Sequence, residues 1–405
     1  MRLMHLTTVD MSLELLLAPI LDEAVLRGHE VIGVSAPGPF VERVEARGVR
    51  HVALPSSTRR FDLLADLKTA LEFWRVVRRE RPDVLHTHNP KPGLYGRVLG
   101  RLAGVPVVVN TVHGLYASPD DRPVKRAVVY AAEFVGGHFS HAELVHNPED
   151  LGLMRRLRLA PRRNLHLLGS GVAIERFANP DTGRSAALRA EWGIAPDEVL
   201  IGTVGRLVAE KGIPELLEAA RGLPGARLVV VGGPDPDKPD ALAPAVLAEA
   251  ERRGVVLAGF RSDMADVYGA LDVFVLASHR EGFPLSGMEA AAAGLPIVTT
   301  DIRGCRQIVT DGLNGFLVPV SSVDALRRSL ERLVGDRALR ERLGAASADR
   351  AREEFDERAV VDRVFHCYEE VADRQGRIRR GTIRQGTIRR GTNRRGTNRP
   401  ADRRD

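Results

Sequence analysis

The sequence predicts an α/β fold made of two doubly wound, parallel-sheet domains. Three observations carry this. Short β-rich runs alternate with longer helical patterns, the signature of repeated βαβ units. Runs such as Leu228–Val231 and Val105–Val109 are almost continuously apolar, as in strands covered on both faces. The alternation also runs through the chain twice, interrupted between Ala178 and Pro196 by Asn179-Pro180-Asp181-Thr182-Gly183 and by Pro196 itself. Each half is therefore read as a Rossmann-like domain.

In the first domain, 1–178, the predicted strands are Leu3–Thr7, Val31–Ser35, Val84–His86, Val107–Asn110 and Leu144–His146. Helices are expected at Leu13–Arg27, Phe61–Arg81 and Pro123–Val135. In the second, 197–356, strands are expected at Leu200–Val204, Arg227–Val231, Val255–Leu257, Val273–Leu276 and Pro296–Thr299. Its helices are expected at Pro214–Arg221, Ala241–Arg253, Leu285–Ala293, Val323–Leu333 and Arg337–Glu354. A last helix covers 357–372. The remainder, 373–405, contains the pentads GRIRR, GTIRQ, GTIRR, GTNRR and GTNRP. Such short polar repeats bury too little apolar surface to offset ordering entropy, so a disordered tail is predicted.

Charge follows the same division. Residues 374–405 hold 12 Arg against two acids, a net of +10. The rest of the chain holds 47 bases against 51 acids, a net of −4. The folded body therefore gives no electrostatic reason to expect nucleic-acid binding. The two cysteines, Cys305 and Cys367, form neither a C-x-x-C pair nor a disulfide framework, which fits a reducing, cytoplasmic compartment. Asp10 and Glu14 interrupt the first apolar run, which argues against a signal peptide. No run is long and apolar enough for a membrane span.

Two stretches carry chemistry. In Ser278–Ala290, Glu281 and Glu289 flank Gly282-Phe283-Pro284-Leu285, where a strand gives way to a helix. The free N–H groups of a helix start bind anions. Carboxylates on either side are placed to accept hydrogen bonds from sugar hydroxyls. Gly202–Gly212 follows the first strand of the second domain. There Gly205 allows close backbone approach, and Arg206 and Lys211 supply positive charge for a leaving diphosphate. Taken singly, the glutamates read as surface residues and the loop as a turn with exposed bases.

Taken together, these stretches resemble the family 4 retaining glycosyltransferases of the GT-B fold, of the bacterial cell-surface polysaccharide type. GTVGRLVAEKG, VVVGG, LAGFRSDMADVYGALDVFVLASHREGFPLSGMEAAAAGLPIVTTD and DGLNGFLVP match in order and spacing across Leu200–Pro319. HTHNPKPG and AGVPVVVNTVHG match more loosely in the first half. The resemblance implies two Rossmann-like domains with parallel sheets facing a central cleft, a nucleotide-sugar donor on the second domain, an acceptor mainly on the first, and a last helix that crosses back to the first. It implies Arg206 and Lys211 as the diphosphate clamp, Glu281 as the sugar contact and Glu289 as the ribose contact. Gly205, Gly282, Phe283, Pro284 and Leu285 would line the donor, with Arg261 in the nucleobase loop. It implies no metal and no cofactor beyond the nucleotide sugar.

His113 ends an apolar strand and precedes Gly114, a position where the family often has a histidine close to the transferred sugar. Carboxyl ends of parallel strands line binding crevices. His86 and His88 share one strand face and are candidate acceptor contacts. They lack a nearby third ligand for a metal. Asp10 and Ser12 are the acceptor candidates in the loop Thr8–Leu13, which lacks the glycines many family members carry there. Gln307 stands where the family usually has a carboxylate.

The resemblance implies transfer of a sugar, with UDP-sugar the expected donor, to a lipid-linked or saccharide acceptor in cell-surface polysaccharide assembly. Arg75, Arg78, Arg79 and Arg81 follow an amphipathic run containing Phe61, Leu64, Leu67, Leu71, Phe73 and Trp74. A second basic cluster spans Arg155–Arg163. Both suit an anionic membrane surface and a peripheral location on its cytoplasmic side. A sugar-nucleotide epimerase of the same fold, and a nucleic-acid-binding protein acting through the tail, are the alternatives.

Overall fold

The computed structural model describes residues 1–60, 62–88, 90–117, 121–236 and 238–376. The arginine-rich pentads from 377 onward, and Phe61 of the amphipathic run, lie outside the described residues. The first domain holds β1 (Arg2–Val9), β2 (Glu30–Ala36), β3 (Arg50–Ala53), β4 (Val84–His88), β5 (Val107–Val112), β6 (Ala142–Val145) and β7 (Leu165–Leu167). The second holds β8 (Val199–Val204), β9 (Ala226–Val231), β10 (Val256–Gly259), β11 (Val273–Leu276), β12 (Ile297–Thr300) and β13 (Gly315–Val318). All observed pairings within the two sheets are parallel.

The sheet orders are β3-β2-β1-β4-β5-β6-β7 and β10-β9-β8-β11-β12-β13. In each, the winding reverses once, between β1 and β4 and between β8 and β11. Loops leaving adjacent strands at such a point diverge to opposite faces and open a crevice at the carboxyl ends. Every predicted strand is present. The unpredicted ones, β3, β7 and β13, have three or four residues and lie at sheet edges. Their apolar pattern is shortened because one side of an edge strand is unpaired.

The predicted Leu13–Arg27 helix is two helices, Asp10–Leu15 and Ala18–Leu26. Pro19 lies in the first turn of the second, where its missing N–H costs no helical bond. The interval 179–196, left between the predicted domains, contains the helix Thr182–Glu191, capped by the Asp181 carboxylate. Leu188, Trp192 and Ile194 join the core of the second domain.

The helix Glu357–Gln375 crosses to the first domain. Its Val361, Val364, Phe365 and Tyr368 pack in one cluster with Leu3, Val107 and Leu144. Each fully buried aliphatic or Phe side chain contributes about 1.5–3 kcal/mol, so this helix is a strong tie between the domains. Deeper in the first domain, Arg97 is 1% exposed on the helix Pro90–Leu102. It pairs with Glu143 at 2.8 Å and with Glu133 at 2.9 Å. No helix among the described residues is long and apolar enough to cross a membrane.

Candidate active site

Three loops meet at the carboxyl ends of β8, β9 and β11. Their approach requires missing side chains. A Cβ on Gly232 would lie 1.9 Å from the Gly205 carbonyl oxygen. One on Gly212, whose φ is +67°, would lie 1.9 Å from the Ala277 carbonyl oxygen. This packing delivers Lys211 to Glu281: Nζ lies 2.5 Å from Oε1, which also accepts from Ser278 Oγ at 2.7 Å. Arg206 pairs with Asp235 at 2.7 Å and stays partly exposed. The helix Leu285–Ala292 begins at Pro284 with no side-chain cap, so its first N–H groups are available to an anion. The phenyl ring of Phe283 turns inward, edge-on to Phe355, and Leu285 packs on the domain core. Both residues therefore offer backbone rather than side chain to a ligand.

Glu289 is one turn further in. Tyr268 Oη lies 2.8 Å from Glu289 Oε2 and 3.1 Å from the Ser286 carbonyl oxygen. One phenolic hydrogen cannot serve both acceptors fully, whereas a protonated Glu289 can donate to the phenol and leave it free to donate to Ser286. Burial raises the Glu289 carboxyl to about 7, against smaller lowering effects from Tyr268 and Arg176. Arg261 is held by Asp263 at 2.6 Å and by Glu191 at 3.3 Å, so its guanidinium is engaged by carboxylates beside the proposed nucleobase loop.

The opposite wall is the end of β5. Gly114 has φ +121°, and a Cβ there would lie 2.7 Å from Gly282 Cα. A Cβ on Gly282 would lie 1.9 Å from the His113 carbonyl oxygen. His113 thus stands where the two domains touch. Ion pairs reinforce this contact: Arg303 with Asp150 at 2.5 Å, Arg306 with Glu149 at 2.8 Å and Arg280 with Asp121 at 3.2 Å. Gln307 donates to Glu149 at 3.2 Å and to the Arg303 carbonyl at 3.1 Å. The amide at 307 is therefore a donor to an acid of the other domain, a place where a carboxylate would meet like charge.

Three acceptor expectations are corrected. Asp10 is buried, and its carboxylate accepts from the backbone of Phe40 at 2.7 Å and Met11 at 2.8 Å. It holds the loop Gly38–Phe40 instead of facing the cleft. His86 and His88 are wholly buried and cannot meet an acceptor directly. His86 is bonded to Tyr368 Oη at 2.6 Å and Thr111 Oγ1 at 2.7 Å. Ser12 is half-buried in the same short helix as Asp10.

The expectation that no third ligand stands near the H-x-H pair is also corrected. His5 on β1 is the register partner of His86, and nitrogens of His5, His86 and His88 lie within 4.8 Å of one another. His146 belongs to the same assembly, 3.0 Å from His113. The signal for these histidines lies in strand position: each of His5, His86, His113 and His146 is in or at the end of a predicted strand. Their adjacency follows from strand order, which no local pattern encodes.

The comparisons with known proteins follow the same two-part division. Residues 18–171 match the family described as "Glycosyl transferase 4-like domain", and residues 185–350 match "Glycosyl transferases group 1". The chain is 29% identical over 310 residues to the UDP-Gal:alpha-D-GlcNAc-diphosphoundecaprenol alpha-1,3-galactosyltransferase of Escherichia coli, covering 75% of this chain and 79% of that one. It is 33% identical over 295 residues to the D-inositol 3-phosphate glycosyltransferase of Xylanimonas cellulosilytica, covering 69% and 70%. Its fold is similar to Anabaena HepE in complex with UDP and glucose, with TM-score 0.76, 17% identity, and coverage of 91% of this chain and 100% of that one. With the double parallel-sheet architecture and the loops at its switch points, these matches show that the chain is a glycosyltransferase enzyme belonging to family 4 of the GT-B fold.

Proposed function

We propose that this protein is a retaining hexosyltransferase that moves a sugar from a UDP-sugar to a lipid-linked or saccharide acceptor in cell-surface polysaccharide assembly. The observation that carries it is the Lys211–Glu281 pair beside the uncapped helix start at Pro284. A diphosphate takes the cation and the N–H groups, and a sugar takes the carboxylate. Arg206 adds a second cation, and Glu289 in its ionised form accepts from the ribose hydroxyls. The E. coli relative acts, by its name, on a diphosphoundecaprenol-linked sugar, which supports a lipid-linked acceptor here.

In the proposed reaction the acceptor hydroxyl attacks the anomeric carbon from the face the diphosphate leaves. A new glycosidic C–O bond forms, the sugar–phosphate bond breaks, and the hydroxyl proton passes to the departing phosphate oxygen. Positive charge from Arg206 and Lys211 and the helix start stabilise the developing diphosphate anion. With that charge in place no metal is required, so activity is expected to survive EDTA.

Membrane contact fits the first domain. Leu63, Leu64, Leu67 and Leu71 are exposed along the helix Leu63–Glu80, with Lys68, Arg75 and Arg78 on the same side. Phe73 of the same run is buried instead. Val124, Val128 and Val135 form a second exposed apolar stripe on the helix Pro123–Phe139. A basic and apolar face of this kind suits the anionic cytoplasmic leaflet.

The test is a panel of nucleotide sugars, scored by nucleotide release with and without a diphosphoundecaprenol-linked sugar. Acceptor-dependent release from a UDP-sugar, with the anomeric configuration retained in the product, is the expected result. Release that ignores every acceptor, or conversion of the donor alone into another nucleotide sugar, would overturn the proposal.

A further inference from the structure

Besides the donor loops, the first domain contains a group of histidines with a definite hydrogen-bond order. His5 Nδ1 lies 3.3 Å from His88 Nε2, and His88 Nδ1 lies 3.2 Å from His113 Nε2. His113 Nδ1 lies 3.0 Å from His146 Nε2, and His146 Nδ1 lies 2.6 Å from the Gly169 carbonyl oxygen. The row crosses the sheet from β1 through β4 and β5 to the end of β6.

The carbonyl at one end fixes the protons throughout. A carbonyl oxygen only accepts, so His146 carries its proton on Nδ1, and Ser170 Oγ at 3.1 Å shares that side. In a neutral imidazole the other nitrogen must then accept. His146 Nε2 therefore receives the Nδ1 proton of His113. By the same step, His113 Nε2 receives the Nδ1 proton of His88, and His88 Nε2 that of His5. The row ends in the lone pair of His5 Nε2, which is buried without a hydrogen-bond partner among the described residues. Burial lowers the pKa of all four rings, in agreement with neutral imidazoles. The His86 ring lies tilted against His88, with centroids 4.1 Å apart, and is itself held by Tyr368 and Thr111, closing the flank of the row.

We propose that His5, His88 and His146 are positioning residues: they hold the His113 ring as its neutral Nδ1–H tautomer, both nitrogens engaged, at the contact between the two walls of the donor site. His113 then offers no acidic proton to the reaction. What it supplies is a fixed ring and a fixed backbone, its carbonyl packed on Gly282. This rests on the reading of His113 and Gly282 as the edge of the donor site.

Metal binding is the competing use of His5, His86 and His88, since the 3.3 Å separation of His5 Nδ1 and His88 Nε2 also suits two ligands of one ion. The row is favoured because every other nitrogen in the group already has a hydrogen-bond partner.

The experiment has two arms on the full chain. With 15N-labelled histidine, two-bond proton–nitrogen correlations read each tautomer directly, and single variants assign the signals. Nδ1–H is expected for His5, His88, His113 and His146, opposite to the tautomer that free neutral histidine prefers in water. Nε2–H signals, imidazolium signals, or a stoichiometric divalent metal found by mass spectrometry of protein purified without chelator would overturn the inference.

The second arm compares His146→Gln with His146→Asn. The Gln side chain reaches the Nε2 position and keeps an acceptor for His113, whereas Asn keeps only the donor to Gly169. Asn should lower kcat by about 10- to 100-fold with little change in the donor KM, since small misplacements at a reacting centre cost about that much. Gln should restore kcat to within about threefold. Nδ1–H tautomers with equal kcat in both variants would leave the row standing and instead overturn the placement of His113 at the donor site.

Discussion

The two walls of the cleft follow opposite electrostatic plans. The second domain presents charge: Lys211, Arg206, Glu281 and a helix start, each only partly screened. The first domain presents neutrality: buried and half-buried histidines bonded to one another, while its buried cation, Arg97, is paired with Glu143 out of a ligand's reach. A leaving diphosphate needs fixed positive charge near it, whereas the wall opposite needs shape. The charged wall is therefore expected to fail through turnover when altered, and the buried ion pairs behind the neutral wall through stability.

The largest expected effect sharpens this on the neutral side. Arg97→Ala strands Glu143, which is fully buried and also accepts from Asn110 at 2.7 Å, together with Glu133. Breaking a buried ion pair from one side costs about 3–5 kcal/mol. Denaturant unfolding should report that loss, and a change below about 1 kcal/mol would show that the Arg97 pairs hold nothing. On the charged side, Lys211→Ala should reduce kcat by about 10²–10³-fold while the melting temperature moves little. Near-normal turnover with a true acceptor would remove Lys211 from the proposed diphosphate clamp.

Glu289 breaks the simple division, because it lies in the charged wall yet is buried. Its folded pKa, about 7, exceeds its ordinary value of 4.5. Between those two pH values the native chain holds a proton that the unfolded chain has released. Stability from this group is therefore full below about pH 4.5 and declines as pH rises to 7, by about 3 kcal/mol in all. Glu289→Gln mimics the protonated form, so that part of the pH slope should vanish from unfolding measurements between pH 5 and 8. Donor binding should run the other way. In the proposed contact ribose hydroxyls donate to the carboxylate, so the wild-type donor KM should fall as pH rises through 7, and the variant's KM should stay flat. An unchanged slope in the variant would place the raised proton on another group.

The unequal legibility of the two walls has the same physical origin. Donor chemistry is local: a strand, a turn and a helix start place Gly282 to Glu289 within one supersecondary unit, and GTVGRLVAEKG within another. Those stretches resemble their family because their backbone geometry is set by neighbours in sequence. The sheets were legible for a related reason, since central strands buried on both faces are continuously apolar. The histidine row has no such local pattern. His5 meets His88 only because the winding reverses between β1 and β4, and His146 joins through β6. Burial of His86, His88 and Asp10 also depends on what lands on them, including Tyr368 from the last helix. Strand ends alone could not say whether those side chains face the cleft or the core.

The smallest effect concerns the seam between the walls. The departure at Gln307 is intelligible beside Glu149: the amide donates where a carboxylate would repel. Gln307→Glu loses that donor and its bond to the Arg303 carbonyl, while Arg306 still offsets part of the new charge. The pair is partly exposed, so the cost should be about 0.5–1 kcal/mol, felt as a weaker contact between the domains and a two- to fivefold higher donor KM. The second change Glu149→Gln would restore a donor–acceptor pair with the sides exchanged but remove the Arg306–Glu149 ion pair, so KM should return only part of the way to its original value. If the double variant is no better than the single one, the seam does not act through this contact.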